Sequence, residues 1–338
     1  MKLSIAHNVP LADLTTFHIG GEAKEFVEVR SESELSEAIE YAKSNDLPVV
    51  ILGGGSNVLV SDKGVTGLVV KISILGIGVV EKTDSVLVRA GAGEVFDSLV
   101  RQTVEAGWWG LENLSSIPGL VGATPVQNVG AYGVEVADLI DEVKVYDLKD
   151  SVYKILTAAE CDFGYRDSLF KKTSGRYIVT EVVYRLKKVG DPNIKYADLK
   201  NLFGDDNPTL LQVREAVITI RSKKFPDWSM VGTAGSFFKN PIIEKSLAEA
   251  LSRKYETMPM YDTENGLVKI PLGFVLDKVL HLKGYENDKV STFKNQALVI
   301  VAKRGAKASE VEVFANDIAD RVLVETGISI EWEVTKIS

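Results

Sequence analysis

Apolar residues recur at helical spacing over residues 31–45, where Leu35, Ala38, Ile39 and Ala42 form one stripe and Ser31 stands three positions before Glu34, the spacing of a capping box. Pro48 then opens Val49-Val50-Ile51-Leu52, an unbroken apolar run that predicts a buried strand. Residues 68–70 and 86–88 read as further strands, and residues 94–106 as a helix with Phe96, Leu99, Val100 and Thr103 on one face. Strands at 143–146 and 177–186 complete a strand-rich region that reaches about residue 188. A polar, turn-rich linker, Lys187-Lys188-Val189-Gly190-Asp191-Pro192, follows. Beyond it lie helical patterns at 208–221, 242–255 and 309–325, with strands expected at 297–301 and 328–334. The pattern predicts an α+β, nucleotide-type domain followed by a second α+β domain, without internal repeats.

Composition narrows the class. At 338 residues the chain exceeds what one core ordinarily serves, and 45% hydrophobic with 25% charged residues is the make-up of a globular protein. The formal charge of −8, with no cluster of Lys and Arg, argues against a nucleic-acid footprint. No apolar run is long enough for a bilayer, and the first ten residues lack a signal-peptide core, so a cytoplasmic protein is expected. Cys161 is the one cysteine, which precludes an intramolecular disulfide. With no histidine near it in sequence, it reads as a small core residue rather than a nucleophile.

The glycines carry the first chemical signal. The run at 49–52 stops abruptly in Gly53-Gly54-Gly55-Ser56-Asn57, ahead of Val58-Leu59-Val60. Glycines directly after a strand expose backbone N–H groups in a concave surface that suits phosphate oxygens. No Gly-Lys-Ser/Thr follows and no helix opens, which excludes a P-loop and a dinucleotide-binding Rossmann turn. A plain tight turn is the competing reading. A second glycine-dense stretch covers residues 110–133, with Gln127 and Asn128 as polar handles in an apolar loop. Packing surface with a few edge-on amides is what a flat heteroaromatic ligand requires.

The stretch Val231-Gly232-Thr233-Ala234-Gly235-Ser236-Phe237-Phe238-Lys239-Asn240-Pro241 places a hydroxyl, an ammonium and a carboxamide after two glycines. It reads as a loop holding one reactive side chain beside a ligand, or as a surface turn over a buried Phe pair. Phe163-Gly164-Tyr165-Arg166-Asp167-Ser168 sets a phenol next to a guanidinium, Tyr196 follows the linker, and Lys224 lies just past an expected helix end. In Ile330-Glu331-Trp332-Glu333-Val334 the alternation puts both carboxylates on one face of the expected strand.

Taken in order, segments 51–59, 110–133, 163–168, 231–241, 295–298 and the final Glu-containing strand resemble the UDP-N-acetylenolpyruvoylglucosamine reductase family, in the form with an extra substrate-closing loop around Tyr196. The resemblance spans nearly the whole chain. It implies an FAD-binding domain of the vanillyl-alcohol-oxidase/PCMH type over 15–188, in two subdomains of about 15–75 and 76–188, and a C-terminal substrate domain over 189–338. It implies non-covalent FAD, with Gly53, Gly54, Gly55, Ser56, Asn57 and Val58 on the pyrophosphate. Ile117, Pro118, Gly119, Gly122, Ala123, Gln127, Asn128, Gly130, Ala131 and Tyr132 would line the cofactor. Of His7, His18 and His281, only His18 stands near that domain, and it is expected to be structural. No metal is implied, and a monomer is expected.

The implied reaction belongs to bacterial peptidoglycan precursor synthesis. NADPH reduces FAD, the enolpyruvyl ether of UDP-N-acetylglucosamine replaces it, and hydride from flavin N5 reaches the vinyl carbon. Ser236 would protonate the adjacent carbon, while Arg166 and Glu333 stabilise the intermediate. Tyr165, Tyr196, Lys224, Asn240 and Gln296 match substrate-contacting positions. The family commonly has Pro before this Glu and Arg after it, where Trp332 and Thr335 stand here, so Glu331 competes with Glu333 for the role. A carboxylate facing an enolate would repel it, which leads us to expect a Glu333 pKa raised by burial. A flavin oxidase of the same fold acting on a sugar or alcohol, and a non-catalytic UDP-sugar-binding protein, are the competing functions.

Overall fold

Ser31 accepts the Glu34 N–H at 3.2 Å, and the helix Glu32–Ser44 buries Leu35, Ala38, Ile39 and Ala42, the stripe that the pattern predicts. The Glu34 carboxylate returns to the Arg30 N–H at 2.6 Å, so the helix start is closed from both sides. This computed structural model describes residues 3–263 and 265–338. The chain divides into two units, the first made of residues up to Val9, Ala23–Gly54 and Thr66–Arg221. The second comprises Pro10–Glu22, Gly55–Val65 and Ser222–Ser338.

In the first unit, a four-stranded sheet runs Ala6–Pro10, Glu22–Val29, Val65–Ile72, Val49–Leu52, with the last pair parallel. The expected strand at 49–52 is present, but only Leu52 is buried. Its place at the sheet's edge leaves Val49, Val50 and Ile51 half covered. A five-stranded antiparallel sheet follows, in the order Val152–Thr157, Ile140–Asp147, Tyr177–Lys187, Ser85–Gly91, Ile77–Glu81. The helix Phe96–Glu105 buries the predicted face of Phe96, Leu99, Val100 and Thr103. Cys161 lies fully inside this core, and burial pushes its thiol up to about 12, which makes it inert.

The expected start of a second domain at residue 189 falls too early for the way the chain packs. The helices Ala197–Phe203 and Leu210–Lys224 contribute Leu199, Val213, Ala216 and Val217 to a small core built around Tyr132, within the first unit. Arg214 adds a two-pronged ion pair to Asp97, at 2.7 and 3.0 Å.

The second unit holds a sheet in the order Gly232–Ser236, Gln296–Ala302, Val290–Phe293, Glu286–Asn287. A three-stranded sheet, Ile242–Ile243, Val268–Lys269, Tyr261–Asp262, and the helices Lys245–Lys254 and Ala308–Thr326 complete it. Phe17 joins its core, and the chain around Phe17 underlies the first strand: Thr16 Oγ1 donates to Thr233 O at 2.7 Å, and Thr233 N to Thr16 O at 3.0 Å. A Cβ on Gly232 would stand 2.0 Å from Phe17 O, so the approach requires glycine.

The strand expected at 328–334 is not formed as such. Trp332 makes a single antiparallel bridge with Phe238, and the strand proper is Thr335–Ile337, parallel to Val58–Val60. The main chain changes partner here: Glu333 N bonds Phe237 O at 2.8 Å, and Thr335 N bonds Asn57 O at 3.0 Å. A ladder cannot continue across that change. Among the described residues, no helix is long and apolar enough to cross a membrane.

Candidate active site

The two glycine-rich segments, predicted separately, meet in the first unit. A Cβ on Gly54 would stand 3.0 Å from Gly119 Cα, so the backbones touch where side chains would keep them apart. A Cβ on Gly53 would meet nothing within 4 Å, which leaves room beside the main chain at the strand end. Gly122 backs against Ala92, its would-be Cβ 2.6 Å from the Ala92 Cβ. Ile117 packs against the core, whereas Pro118 and Ala123 are exposed and Gln127 and Ala131 half-buried. Gly55, Ser56, Asn57 and Val58 belong to the second unit. There Gly55 takes a φ of 63° with Leu14 O 2.2 Å from its would-be Cβ, and Asn57 Nδ2 donates to Glu333 O at 3.1 Å. Open space next to Gly53 and the close approach of Gly54 to Gly119 fit a dinucleotide pyrophosphate held by main-chain N–H groups.

Asn128 has a different job from the polar handle expected of it. It is buried, and its carboxamide is committed to the protein: Nδ2 donates to Glu135 Oε2 at 2.6 Å and Gly164 O at 3.0 Å, and Oδ1 accepts Ala137 N–H at 3.1 Å. Only its main chain is left for a ligand. What it holds is the turn of Tyr165 and Arg166. Gly164 and Asp167 exchange backbone hydrogen bonds at 3.0 and 3.1 Å, which leaves Tyr165 and Arg166 as the two central residues. Arg166 is left-handed, with φ 52°. Its guanidinium donates to Gly130 O at 2.6 Å and Asn128 O at 3.3 Å and lies 5.5 Å from the Tyr165 ring centroid. The loop expected to line a cofactor thus also grips the guanidinium.

Tyr132 anchors the same loop. It is buried, left-handed with φ 49°, and hydrogen-bonded to Arg221, which also donates from Nε to Ser116 O at 3.2 Å. Burial pushes its phenol up to about 12, so it stays protonated. Tyr196 meets its ring edge-on, with centroids 5.3 Å apart, and stands directly before the helix Ala197–Phe203 while keeping an exposed face. Beneath, the fully buried Asn113 donates from Nδ2 to Tyr132 O at 2.9 Å and Asn193 O at 2.7 Å. Among the described residues its Oδ1 is the only fully buried side-chain polar atom without a partner. The sequence reading missed Asn113, Glu135 and Arg221 as supports. Their residue types carry no signal of that role in the sequence; their partners alone assign it.

In the second unit, Ser236 ends the strand Gly232–Ser236, opposite Val299, directly after the left-handed Gly235 at φ 76°. The Phe237–Glu333 backbone bond sets Glu333 against the residue following Ser236. Glu331 is placed otherwise. Its Oε2 pairs with Lys239 Nζ at 2.9 Å and its side chain is 76% exposed, whereas Glu333 is half-buried. Lys239, undecided by sequence, is therefore the partner of Glu331. Asn240 Oδ1 accepts the Leu272 N–H at 2.9 Å, and Gln296 Oε1 accepts the Leu298 N–H at 3.3 Å. Lys224 is the last residue of its helix rather than lying past it, and Asn295 Nδ2 caps that end through Lys223 O at 2.8 Å. The His18 ring is engaged by Trp228 O at 2.8 Å. No group of three or more metal-ligating side chains occurs among the described residues.

Comparison with known proteins bears on each unit. Residues 23–155 match the family model of an FAD binding domain, and residues 227–337 match the C-terminal domain of UDP-N-acetylenolpyruvoylglucosamine reductase. The enzyme of that name from Bdellovibrio bacteriovorus is 39% identical over 98% of this chain and 99% of its own length. That from Chromobacterium violaceum is 38% identical with the same coverage. The crystal structure of UDP-N-acetylenolpyruvylglucosamine reductase from Thermus caldophilus aligns over all of both chains with a TM-score of 0.69 at 25% identity. The expected fold, an FAD-binding domain followed by a C-terminal reductase domain, is borne out. The chain belongs to the UDP-N-acetylenolpyruvoylglucosamine reductase family.

Proposed function

We propose that this protein reduces the enolpyruvyl ether of UDP-N-acetylglucosamine to UDP-N-acetylmuramate, with NADPH as the electron source, in peptidoglycan precursor synthesis. The amides after Gly53 would hold the FAD pyrophosphate, and residues 117–132 would flank the rest of the cofactor. When bound, FAD supplies the two-electron transfer from NADPH to the substrate double bond.

The chain's own residues handle charge and the proton. Ser236 donates its hydroxyl proton to the carbon next to the carboxylate. An ordinary serine is a poor acid, so the acceptor must be strongly basic, and the carbanion-like carbon of the reduced enolpyruvyl group is. Arg166 stabilises the charge on the substrate carboxylate; its guanidinium, gripped by the Asn128 and Gly130 carbonyls, is ordered in advance. Glu333 serves protonated, or by polarising a neighbour. Tyr165, Tyr196, Lys224, Asn240 and Gln296 bind the sugar nucleotide.

One observation carries the choice of acid–base pair: the backbone bond between Phe237 and Glu333 sets the carboxylate residue against the Ser236 segment, while Glu331 is turned to Lys239. The purified protein should be yellow and consume NADPH only when the enolpyruvyl sugar nucleotide is added. Ser236→Ala should lower turnover by about 10²–10⁴-fold and leave reduction of the flavin by NADPH at the wild-type rate. Wild-type turnover in that variant would refute the proton-donor role. Oxygen uptake on a sugar or alcohol without NADPH would replace the reductase by an oxidase.

A further inference from the structure

Two carboxamides converge on one short segment of the second unit. The helical turn Leu272–Phe274 leads into a π-helical turn, Val275–Val279. Asn240 Oδ1 accepts the N–H of Leu272 at 2.9 Å. Gln296 Oε1 accepts the N–H of Leu298 and lies 3.2 Å from where a Cβ on Gly273 would stand. Each oxygen is therefore tied to a main-chain donor, and the NH2 group is what each side chain has left to offer. An NH2 group can only donate. A ligand that meets the NH2 groups of both residues must present hydrogen-bond acceptors there.

Gly273 is not explained by its backbone. It is not among the left-handed glycines, and in helical geometry alanine would be favoured by about 1 kcal/mol. Space explains it. The would-be Cβ meets Gln296 Oε1 at 3.2 Å, Leu298 Cδ1 at 3.3 Å and Leu298 Cγ at 3.7 Å, all side-chain atoms of the neighbouring strand. A methyl group there would displace the carboxamide by a few tenths of an ångström, and a larger side chain would evict it.

We infer that Gly273 is a positioning residue for Gln296, leaving the room in which that carboxamide is held as a donor. The inference rests on the reading that Gln296 meets the sugar nucleotide. Steady-state kinetics of the FAD-loaded enzyme, with calorimetric titration of UDP-N-acetylmuramate, test it. Gly273→Ala should raise KM and Kd about 3–10-fold with kcat within twofold and Tm unchanged or higher, because a few tenths of an ångström costs far less than a full ångström. Gly273→Val should match Gln296→Ala, at about tenfold or more, and the double variant Gly273→Val, Gln296→Ala should be no worse than Gln296→Ala alone. Gln296→Glu, which keeps an acceptor but loses the donor, should bind as poorly as Gln296→Ala. If Gln296→Ala weakens binding but Gly273→Val does not, the positioning role falls and the substrate reading of Gln296 stands. If Gln296→Ala binds like the wild type, the substrate reading itself falls and takes the inference with it. Wild-type affinity in Gln296→Glu would overturn the donor polarity.

Discussion

The two segments proposed to carry the chemistry are held in opposite ways. At the Tyr165–Arg166 turn the functional residue itself occupies the left-handed position, at φ 52°. A non-glycine residue there costs about 1–3 kcal/mol, and it persists only because its surroundings insist on it. The insistence is visible in the buried Asn128 carboxamide on Gly164 O and the guanidinium on two carbonyls of the same loop. In the Ser236 segment, Gly235 takes the left-handed position at φ 76°, inside a strand whose register shifts between Thr233 and Ser236, and Ser236 closes that strand. A residue that must both turn the chain and present its head needs a buried polar scaffold. One that merely follows a turn can leave the unusual backbone to glycine.

Arg166→Gly attacks the first arrangement directly. Glycine removes the strain but also the guanidinium and its two hydrogen bonds, so the stability terms offset while the chemistry does not. We expect kcat/KM to fall about 10²–10³-fold, with Tm moving by only a few degrees. Near-normal turnover in the folded variant would remove Arg166 from the reaction. The converse experiment is Gly232→Ala, where the new methyl would run into Phe17 O. The cost should reach about 3 kcal/mol or more, measured by denaturant unfolding, because backbone rather than a flexible side chain must yield. Gly235→Ala meets nothing within 4 Å and should cost only the roughly 1 kcal/mol of a left-handed alanine.

The two asparagines sharpen the contrast further. Asn128→Ala takes the Asn128 partner from Glu135 Oε2 and Ala137 N and one of two donors from Gly164 O, which keeps the Asp167 N–H, an expected loss of about 2–3 kcal/mol. Because it also frees the Arg166 turn, kcat should fall with it. Asn240→Ala removes one half-buried cap on Leu272 N, worth about 1 kcal/mol, and should act on KM instead. Equal behaviour of the two variants would mean that the turn and the strand segment are not held differently after all.

Much of this was legible in the sequence where local rules decide. The capping box at Ser31, the stripe of the helix Glu32–Ser44 and the buried face of Phe96, Leu99 and Val100 follow from periodicity alone. Gly54 and Gly119 announced a close backbone approach without saying that they approach each other. What pattern could not show were choices made by distant partners. The strand expected at 328–334 gives way because its main chain passes from Phe237 to Asn57 within two residues. Alternation set Glu331 and Glu333 equal, and Lys239 separates them. The polar residues Asn113, Asn128 and Arg221 look alike in a sequence whether they face a ligand or prop a loop. Only their partners tell.

The smallest effect we expect concerns how the second unit is tied together, and pH reads it. Asp62 receives the N–H groups of Ala308 and Ser309 at 2.7 and 3.1 Å, at the start of the helix Ala308–Thr326. Desolvation is the largest single influence on its carboxyl and pushes it upward. The Ser309 and Ala308 N–H groups, with the Ser309 hydroxyl and the Lys307 charge, outweigh it, so the group sits below its ordinary 3.8. A depressed value means that folding favours the ionised form. The contribution is then complete above about pH 4 and disappears as the pH falls through the folded value. Asp62 is exposed, so screening keeps the term to about 0.5–1 kcal/mol. Asp62→Asn should lower stability by that amount at pH 7, with the gap to wild type closing toward pH 3. A gap that stays constant down to pH 3 would show that the carboxamide fails by shape rather than by charge, and that the helix dipole plays no part in fastening Asp62 to this helix.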